Sequence, residues 1–488
     1  MLAFRARSRS ESRVPRRPKP AVTDKHPEPA VHFSWVGKAQ ADAALAAPSF
    51  GKLVAIPGES RNARIAAHRF YDGENLAVLK LLLPELTGGV KMIYIDPPYN
   101  TGRRFVYRDD FTSNGNHSGR PHAQWLSMIY PRLMLARQML RDDGMIFVSI
   151  DDGELAHLTL VMDEVFGEEN RVGNLIWEGG RKNDSRLVSI SHEYLVCYAK
   201  SRKRLADAKH RWHERKPGLD RIHAEYTRLR EKHGDDHSAV SAGMRTWYRR
   251  LPEGDPAQAS AHYARSDERG LYYADNISWP GGGGPTYPVL HPVTRRPCRI
   301  PSRGWVFATP ERMQQEIAAG RVEFGADETK VPTRRRYLHE TEYQALASVI
   351  YQDGRAASQR LKRMFGRKVF DHPKDERVLA RLVEATTETD DLVLDFFAGS
   401  AALGHAVLLA NESDGAERRF VLVQQPEATG WPDLPTIAEV AKERLRRAMT
   451  AIEAAWPETS GSPRKRLGFR VFRWVTQEPV KVRKKKQR

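Results

Sequence analysis

The stretch Asp96-Pro97-Pro98-Tyr99 follows the apolar run KMIYI and ends it abruptly. Two successive prolines fix the backbone and remove two N–H donors, so the chain there offers carbonyls that only accept hydrogen bonds. Asp96 adds a carboxylate acceptor, and Tyr99 a flat π-face. Together they suit a planar ring with an exocyclic amino group: acceptors for its N–H bonds and a ring to stack on. A base turned out of a duplex is a ligand of that kind. The plain alternative is an Asp-Pro turn that opens a loop.

A second turn, DFFAGSAALG, has a different chemistry. Asp395 ends a buried run, Gly399 with Ser400 and Ala401 lets the backbone approach a ligand, and the helix that follows offers unpaired N–H groups. The Walker lysine and a full G-x-G-x-x-G are both missing, so a phosphate loop is a poor fit. A tight structural turn remains the alternative on these residues alone.

Positioning both turns requires a sheet. From about residue 64 the pattern alternates: the helical run AVLKLLLPEL, the strand KMIYI, the helix AQWLSMIYPRLMLARQMLR, the strand MIFVSI and the amphipathic helix ELAHLTLVMDEVFG. Pro131 is expected to kink the second helix or mark a restart. GNLIW and EYLVCYA are further strand candidates. The alternation predicts a mainly parallel α/β sheet covered on both faces. It breaks near 200, where 201–235 is charged and helical and 245–310 suggests short strands and loops around PGGGGP. It returns near 376 with ERVLARLVEAT, LVLDFF, HAVLLAN, RFVLVQQ, a basic helix and GFRVFRW. Ligands of such sheets bind at the carboxyl ends of strands, where strand order reverses. If both strands share a sheet, Asp96 and Asp395 reach one crevice.

A net charge of +18 argues for an acidic partner, nucleic acid before membrane. Basic termini, RARSRSESRVPRRPK and KVRKKKQR, hold part of the excess; much of the rest lies in 201–368 among Trp, Tyr and His. No stretch approaches the roughly 20 apolar residues of a membrane span, and the Arg-, Ser- and Pro-rich start has no secretory h-region. Two cysteines, Cys197 and Cys298, make neither a metal cluster nor a disulfide framework. A reducing, cytoplasmic location is expected, and no metal.

Taken together, IDPPYN and DFFAGSA resemble the catalytic and S-adenosylmethionine motifs of amino-group DNA methyltransferases. Their order, with an insert between, is similar to the β arrangement of that family, and above all to modification (Mod) subunits of type III restriction systems. WLSMIYPRLMLARQMLRDDGMIFVSIDDGE, MDEVFGEEN, HEYLVCYAK, FDHPK and RRFVLVQQPE carry the same likeness. The resemblance implies a circularly permuted Rossmann-like methyltransferase sheet with an inserted target-recognition domain. It divides the chain into a catalytic half (51–200), the insert (201–365) and a cofactor half (366–475), between a basic arm (1–50) that composition marks as disordered and a basic tail (476–488).

The resemblance also implies transfer of a methyl group from S-adenosyl-L-methionine to adenine N6 in double-stranded DNA. Asp rather than Ser at the head of the motif favours adenine over cytosine N4. Asp96, Pro97, Pro98 and Tyr99 would be catalytic. Asp395, Phe396, Phe397, Ala398, Gly399 and Ser400, with Lys374 and Gln424 or Glu427, would hold the cofactor. Trp279, Tyr287, Trp305, Arg334, Arg335 and Arg336 would meet DNA, the arginines on phosphate. Relatives act as dimers, and cleavage and ATP hydrolysis would fall to a helicase/nuclease restriction subunit. Three departures stand out. Ala401 replaces a glycine, so its methyl group is expected to narrow the cofactor pocket or shift its backbone. Lys374 is followed by Asp375 instead of Pro, and Gln424 stands where many relatives carry an acid. Ala401 and Asp375 are the basis of the rival reading, a recognition subunit without turnover. Asp72 is read as either a strand-end residue beside the cofactor adenine or a helix cap. His192 and Glu193 precede a strand facing the presumed base pocket, with a core or capping role favoured, and Trp177 is read as core.

Overall fold

A computed structural model describes residues 33–102, 122–180, 186–207, 211–456 and 467–476. The expectations for residues 1–32, for the last twelve residues and for most of the loop after Asn100 lie outside these. Ten strands form one sheet, in the order Lys52–Ala55, Phe469–Val475, His68–Asp72, Arg419–Gln424, Leu392–Asp395, Val90–Ile95, Leu140–Ile150, His192–Ala199, Arg171–Glu178 and Val349–Tyr351. The block from Phe469–Val475 to Leu140–Ile150 is parallel throughout. Lys52–Ala55 and His192–Ala199 run antiparallel to their neighbours in that block.

Strand alternation places side chains on two faces. In Val90–Ile95, every residue of which is buried, Met92 and Tyr94 enter one apolar cluster and Ile93 and Ile95 the other. Helices Glu376–Thr386, Ala402–Asp414 and Ile437–Ala455 cover the first face, and Asn75–Leu86, His122–Met139 and Leu155–Phe166 the second. The helix from His122 runs through Pro131 to Met139 unbroken, with Pro131 buried, so the expected restart does not occur.

Two boundaries differ from the sequence reading. Residues 33–50 are not a disordered arm: Lys38–Ala46 is a helix, Ala41 is buried, and Trp35 Nε1 donates to Ser127 Oγ at 2.9 Å. Its alanine-rich run has no amphipathic period, so only Phe33 and Trp35 announce that it docks. The insert also closes before 365. Val349–Tyr351 is already an outer strand of the main sheet, parallel to Arg171–Glu178. Within the insert, helices Leu219–His233 and His237–Arg250 share an apolar core, and the end of the second helix, from 245, falls on ground expected to be strand and loop. Four short strands, from Arg265–Asp267 to Thr333–Tyr337, form a separate antiparallel sheet.

Candidate active site

Val90–Ile95 and Leu392–Asp395 are direct parallel neighbours, with Met92 opposite Val393 and Ile93 opposite Leu394. From here the chain leaves in opposite directions, one strand pairing next with Leu140–Ile150 and the other with Arg419–Gln424. The sheet therefore has its switch point here, and Asp96 and Asp395 open into one cleft of about 280 Å³. The expectation that the two aspartates share a crevice holds.

The first wall is the DPPY turn. Tyr99 donates its hydroxyl to Asp96 Oδ1 at 2.9 Å. Trp125 Nε1 donates to the Pro98 carbonyl at 2.6 Å, so that carbonyl is already engaged and helps lock the turn. Lys374, expected among the cofactor ligands, lines the cleft and directs its ammonium at this turn. Its ammonium lies 2.6 Å from Glu193 Oε1, 3.4 Å from Asp96 Oδ1 and 5.0 Å from the Tyr99 ring centroid. It also donates to the Tyr99 hydroxyl at 2.7 Å. Trp177 closes the other side of the cage, 5.7 Å from the same ammonium.

Two carboxylates and one ammonium thus share this corner. Burial raises the Asp96 pKa; Lys374 opposes the rise and Glu193 adds to it. Burial works against the Lys374 ammonium, but Asp96 and Glu193 outweigh it and its pKa ends above the ordinary value. For Glu193 the sequence favours a core or capping role over one at the base pocket, and the structure reverses that order by setting it against Lys374 and Tyr99. His192–Ala199 runs antiparallel to Leu140–Ile150, so its first residues lie at the end of the sheet where the parallel strands finish. His192 stays outside the cluster, paired with the Tyr194 hydroxyl at 2.9 Å.

The second wall is the AGS turn. Asp395 Oδ1 accepts from Phe397 N at 2.9 Å. Burial pushes the Asp395 carboxyl well above the usual range, and nearby Asp96 adds to the rise. Phe396 is fully buried, so its ring serves the core, while its carbonyl accepts from Asn75 Nδ2 at 2.7 Å. Gly399 is left-handed at φ 52°, a region that favours glycine, and donates its N–H to Gln424 Oε1 at 2.7 Å. Gln424 Nε2 donates to the Gln425 carbonyl at 3.0 Å. Both ends of Gln424 therefore hold the loop, and Glu427 also lines the cleft.

The departures have structural accounts. Ala401 is left-handed at φ 61° and fully buried in the apolar cluster beneath the turn; its neighbours Ser400 and Ala402 line the cleft, and Ala401 itself does not. Its methyl group does not narrow the pocket. Asp375 caps helix Glu376–Thr386 through Arg377 N and pairs with Arg360 at 2.7 Å, which explains an acid in place of proline. The adjacent Glu376 faces buried Arg444, whose guanidinium donates to Ser400 Oγ at 2.9 Å and fixes that serine from below. Asp72 lies in a separate charged cluster, 3.6 Å from Lys442, and the cap of helix Asn75–Leu86 is Glu74. Asp72 ends strand His68–Asp72, as one reading has it, but it is not the helix cap.

The residues expected to meet DNA are mostly occupied. Trp305 is fully buried and donates to the Tyr287 carbonyl at 2.8 Å, while Tyr287 donates to the Phe307 carbonyl at the same distance. Both rings belong to a small core of the insert. Arg335 pairs with Asp267 at 2.9 Å, Arg336 with Asp275 at 2.7 Å, and Arg334 stacks over Phe307 at 5.5 Å. Arg335 and Arg336 staple the four-stranded sheet. Trp279 is half-buried beside Gly284.

Residues 90–423 match the family described as DNA methylase. The EcoP15I Mod subunit, a type III restriction-modification enzyme of Escherichia coli, is 32% identical over 426 residues, which are 80% of this chain and 64% of that one. The StyLTI Mod subunit of Salmonella typhimurium is 34% identical over 442 residues, 83% of this chain and 60% of its own. The type II methyltransferase M.KpnI of Klebsiella pneumoniae is 30% identical over 362 residues, 72% of this chain and 79% of its own. The chain thus spans less than two thirds of the length of both Mod subunits.

Proposed function

The chain belongs to the DNA methylase family, and on that premise we propose that it methylates the N6 amino group of adenine in double-stranded DNA, with S-adenosyl-L-methionine as donor. The observation that carries the reading is the meeting of Asp96 and the Gly399 turn across one switch point. The likeness to type III Mod subunits supports a role as the modification component of such a system, and a homodimer joined by a restriction subunit is the assembly proposed with it.

The cleft fits the donor. S-adenosyl-L-methionine presents an ammonium, a carboxylate, ribose hydroxyls and an adenine ring. Asp395 is an acid for the ammonium, and Ala402 and Leu403 bring the first turn of helix Ala402–Asp414 to the cleft for the carboxylate. Glu427 and Gln425 supply acceptors for hydroxyls, and Phe370, Phe397 and Ile437 an apolar wall. When bound, the group supplies an electrophilic methyl.

The chain's residues do the rest. Asp96 and the Pro97 carbonyl accept the two N–H bonds of the target amino group, which turns its lone pair out of the ring plane. Positive charge grows on that nitrogen as its new bond forms, so fixed acceptors stabilise the transition state more than the ground state. Tyr99, held by its hydrogen bond to Asp96, presents its ring to the base. Glu193 engages the Lys374 ammonium, which would otherwise compete for Asp96.

Incubation with labelled S-adenosyl-L-methionine and mixed-sequence duplex DNA, followed by nucleoside mass spectrometry, tests the reading. N6-methyladenine is expected. N4-methylcytosine as the sole product would overturn the base assignment, and cofactor binding without any transfer would favour a recognition subunit.

A further inference from the structure

Behind the DPPY turn lies a second polar cluster. Asn100, left-handed at φ 57°, donates Nδ2 to Glu154 Oε1 at 2.6 Å. The Glu154 side chain is 1% exposed and stands at the start of helix Leu155–Phe166, yet its carboxylate does not cap that helix. His122 Nδ1 reaches the same oxygen at 2.6 Å. His157 Nδ1 lies 2.9 Å from the other oxygen, Oε2, but not in hydrogen-bonding geometry: both atoms are buried and neither has a hydrogen-bond partner. Two imidazole nitrogens and a carboxylate therefore converge, their ligand atoms all within 4.8 Å of one another.

A carboxylate buried this deeply needs a cation. Elsewhere the chain supplies its own: Glu59, Asp72 and Glu439 converge on Lys442, whose side chain is fully buried among them. Around Glu154, the ion-pair partners among the described residues are the two histidines alone.

We propose that His122, Glu154 and His157 bind a divalent transition-metal ion of the zinc class, which braces the turn through Asn100. Two imidazoles and one carboxylate suit such an ion, whereas calcium and magnesium favour oxygen shells. Bonds of about 2.0–2.1 Å in a tetrahedral site place ligand atoms roughly 3.3 Å apart, a small spread from the present 2.6 and 2.9 Å. Both histidine side chains are 34% exposed, which leaves a fourth position open to water. The sequence offers no Cys/His cluster and leads to the expectation of no metal; His122 and the Glu154-x-x-His157 pair are distant along the chain, and the fold brings them together.

The test uses the full chain, stripped with a chelator and titrated with Co²⁺ and then Zn²⁺. One saturable Co²⁺ per chain is expected, with visible d–d absorption that Zn²⁺ displaces and a melting temperature that Zn²⁺ raises. His157→Ala and His122→Ala, both on partly exposed side chains, should each weaken binding by at least about tenfold and remove the thermal shift. The chain has 17 histidines, so binding that both variants retain unchanged would place the metal elsewhere and overturn the proposal. Failure of the stripped wild type to take up a saturating equivalent would do the same.

Discussion

The Lys374 ammonium stands between two carboxylates, 2.6 Å from Glu193 and 3.4 Å from Asp96. Its closer partner is the one that lies outside the DPPY turn, so Asp96 keeps the looser ion pair and remains available as an acceptor.

That arrangement predicts opposite shifts in two variants. Activity should be lost as pH falls through the Asp96 pKa, because the protonated acid cannot accept from the target amine. Lys374 lowers that pKa and Glu193 raises it. Lys374→Met should therefore move the acid limb of kcat/KM to higher pH, and Glu193→Gln should move it to lower pH. Glu193→Gln should also lower the plateau rate, since the ammonium then turns to Asp96. Rate profiles of both variants over the acid range check this; shifts in the same direction would remove the three-group corner from the mechanism.

Asp96→Asn should abolish most transfer with little change in DNA affinity. The amide keeps the shape and one acceptor but loses the charge that faces the developing cation. Removal of one such group costs on the order of 10²–10³ in kcat. Single-turnover rates and a DNA titration separate the two quantities; a loss confined to DNA binding would take Asp96 out of its catalytic role.

The two turns were legible because each ends an apolar run on residues that a buried strand does not otherwise need, and the rule for parallel sheets says where such ends meet. Glu193 was not legible, since nothing in HEYLVCYA tells that its strand runs against Leu140–Ile150. The ion pairs of the arginine run 334–336 were not legible for a related reason. Its partners Asp267 and Asp275 lie on other segments, joined only by the pairing of Thr333–Tyr337 with Gly270–Asp275 and by the turn before it. Ala401 shows a third limit: composition reveals a methyl group in a glycine turn, but only the backbone shows that it faces the core.

Ala401→Gly should leave both stability and cofactor affinity nearly unchanged. Glycine relieves about 1–2 kcal/mol of left-handed strain. It also removes a buried methyl worth about 0.8 kcal/mol and adds unfolded-state entropy of about 0.5–1 kcal/mol. The net change should lie within about 1 kcal/mol of zero. Denaturant unfolding and calorimetric titration with S-adenosyl-L-methionine measure the two quantities. Markedly tighter binding in the glycine variant would mean that the methyl group does narrow the cleft.

Asp395 joins cofactor binding to the pH dependence of stability. Its pKa in the fold is raised, mainly by burial, above the unfolded value near 3.9. The native state therefore holds the proton more tightly, and the stability this gives is complete below the unfolded pKa and lost as pH rises through the folded one. Asp395→Asn carries no such proton and keeps an acceptor for the Phe397 N–H. The difference in Tm, wild type minus variant, should fall as pH rises, and near neutrality the variant should melt no lower than wild type. Loss of the charge opposite the donor's ammonium should at the same time weaken S-adenosyl-L-methionine binding by about tenfold or more. Parallel melting curves across pH would show that Asp395 stays ionised in the fold, and unchanged affinity would free it from the ammonium.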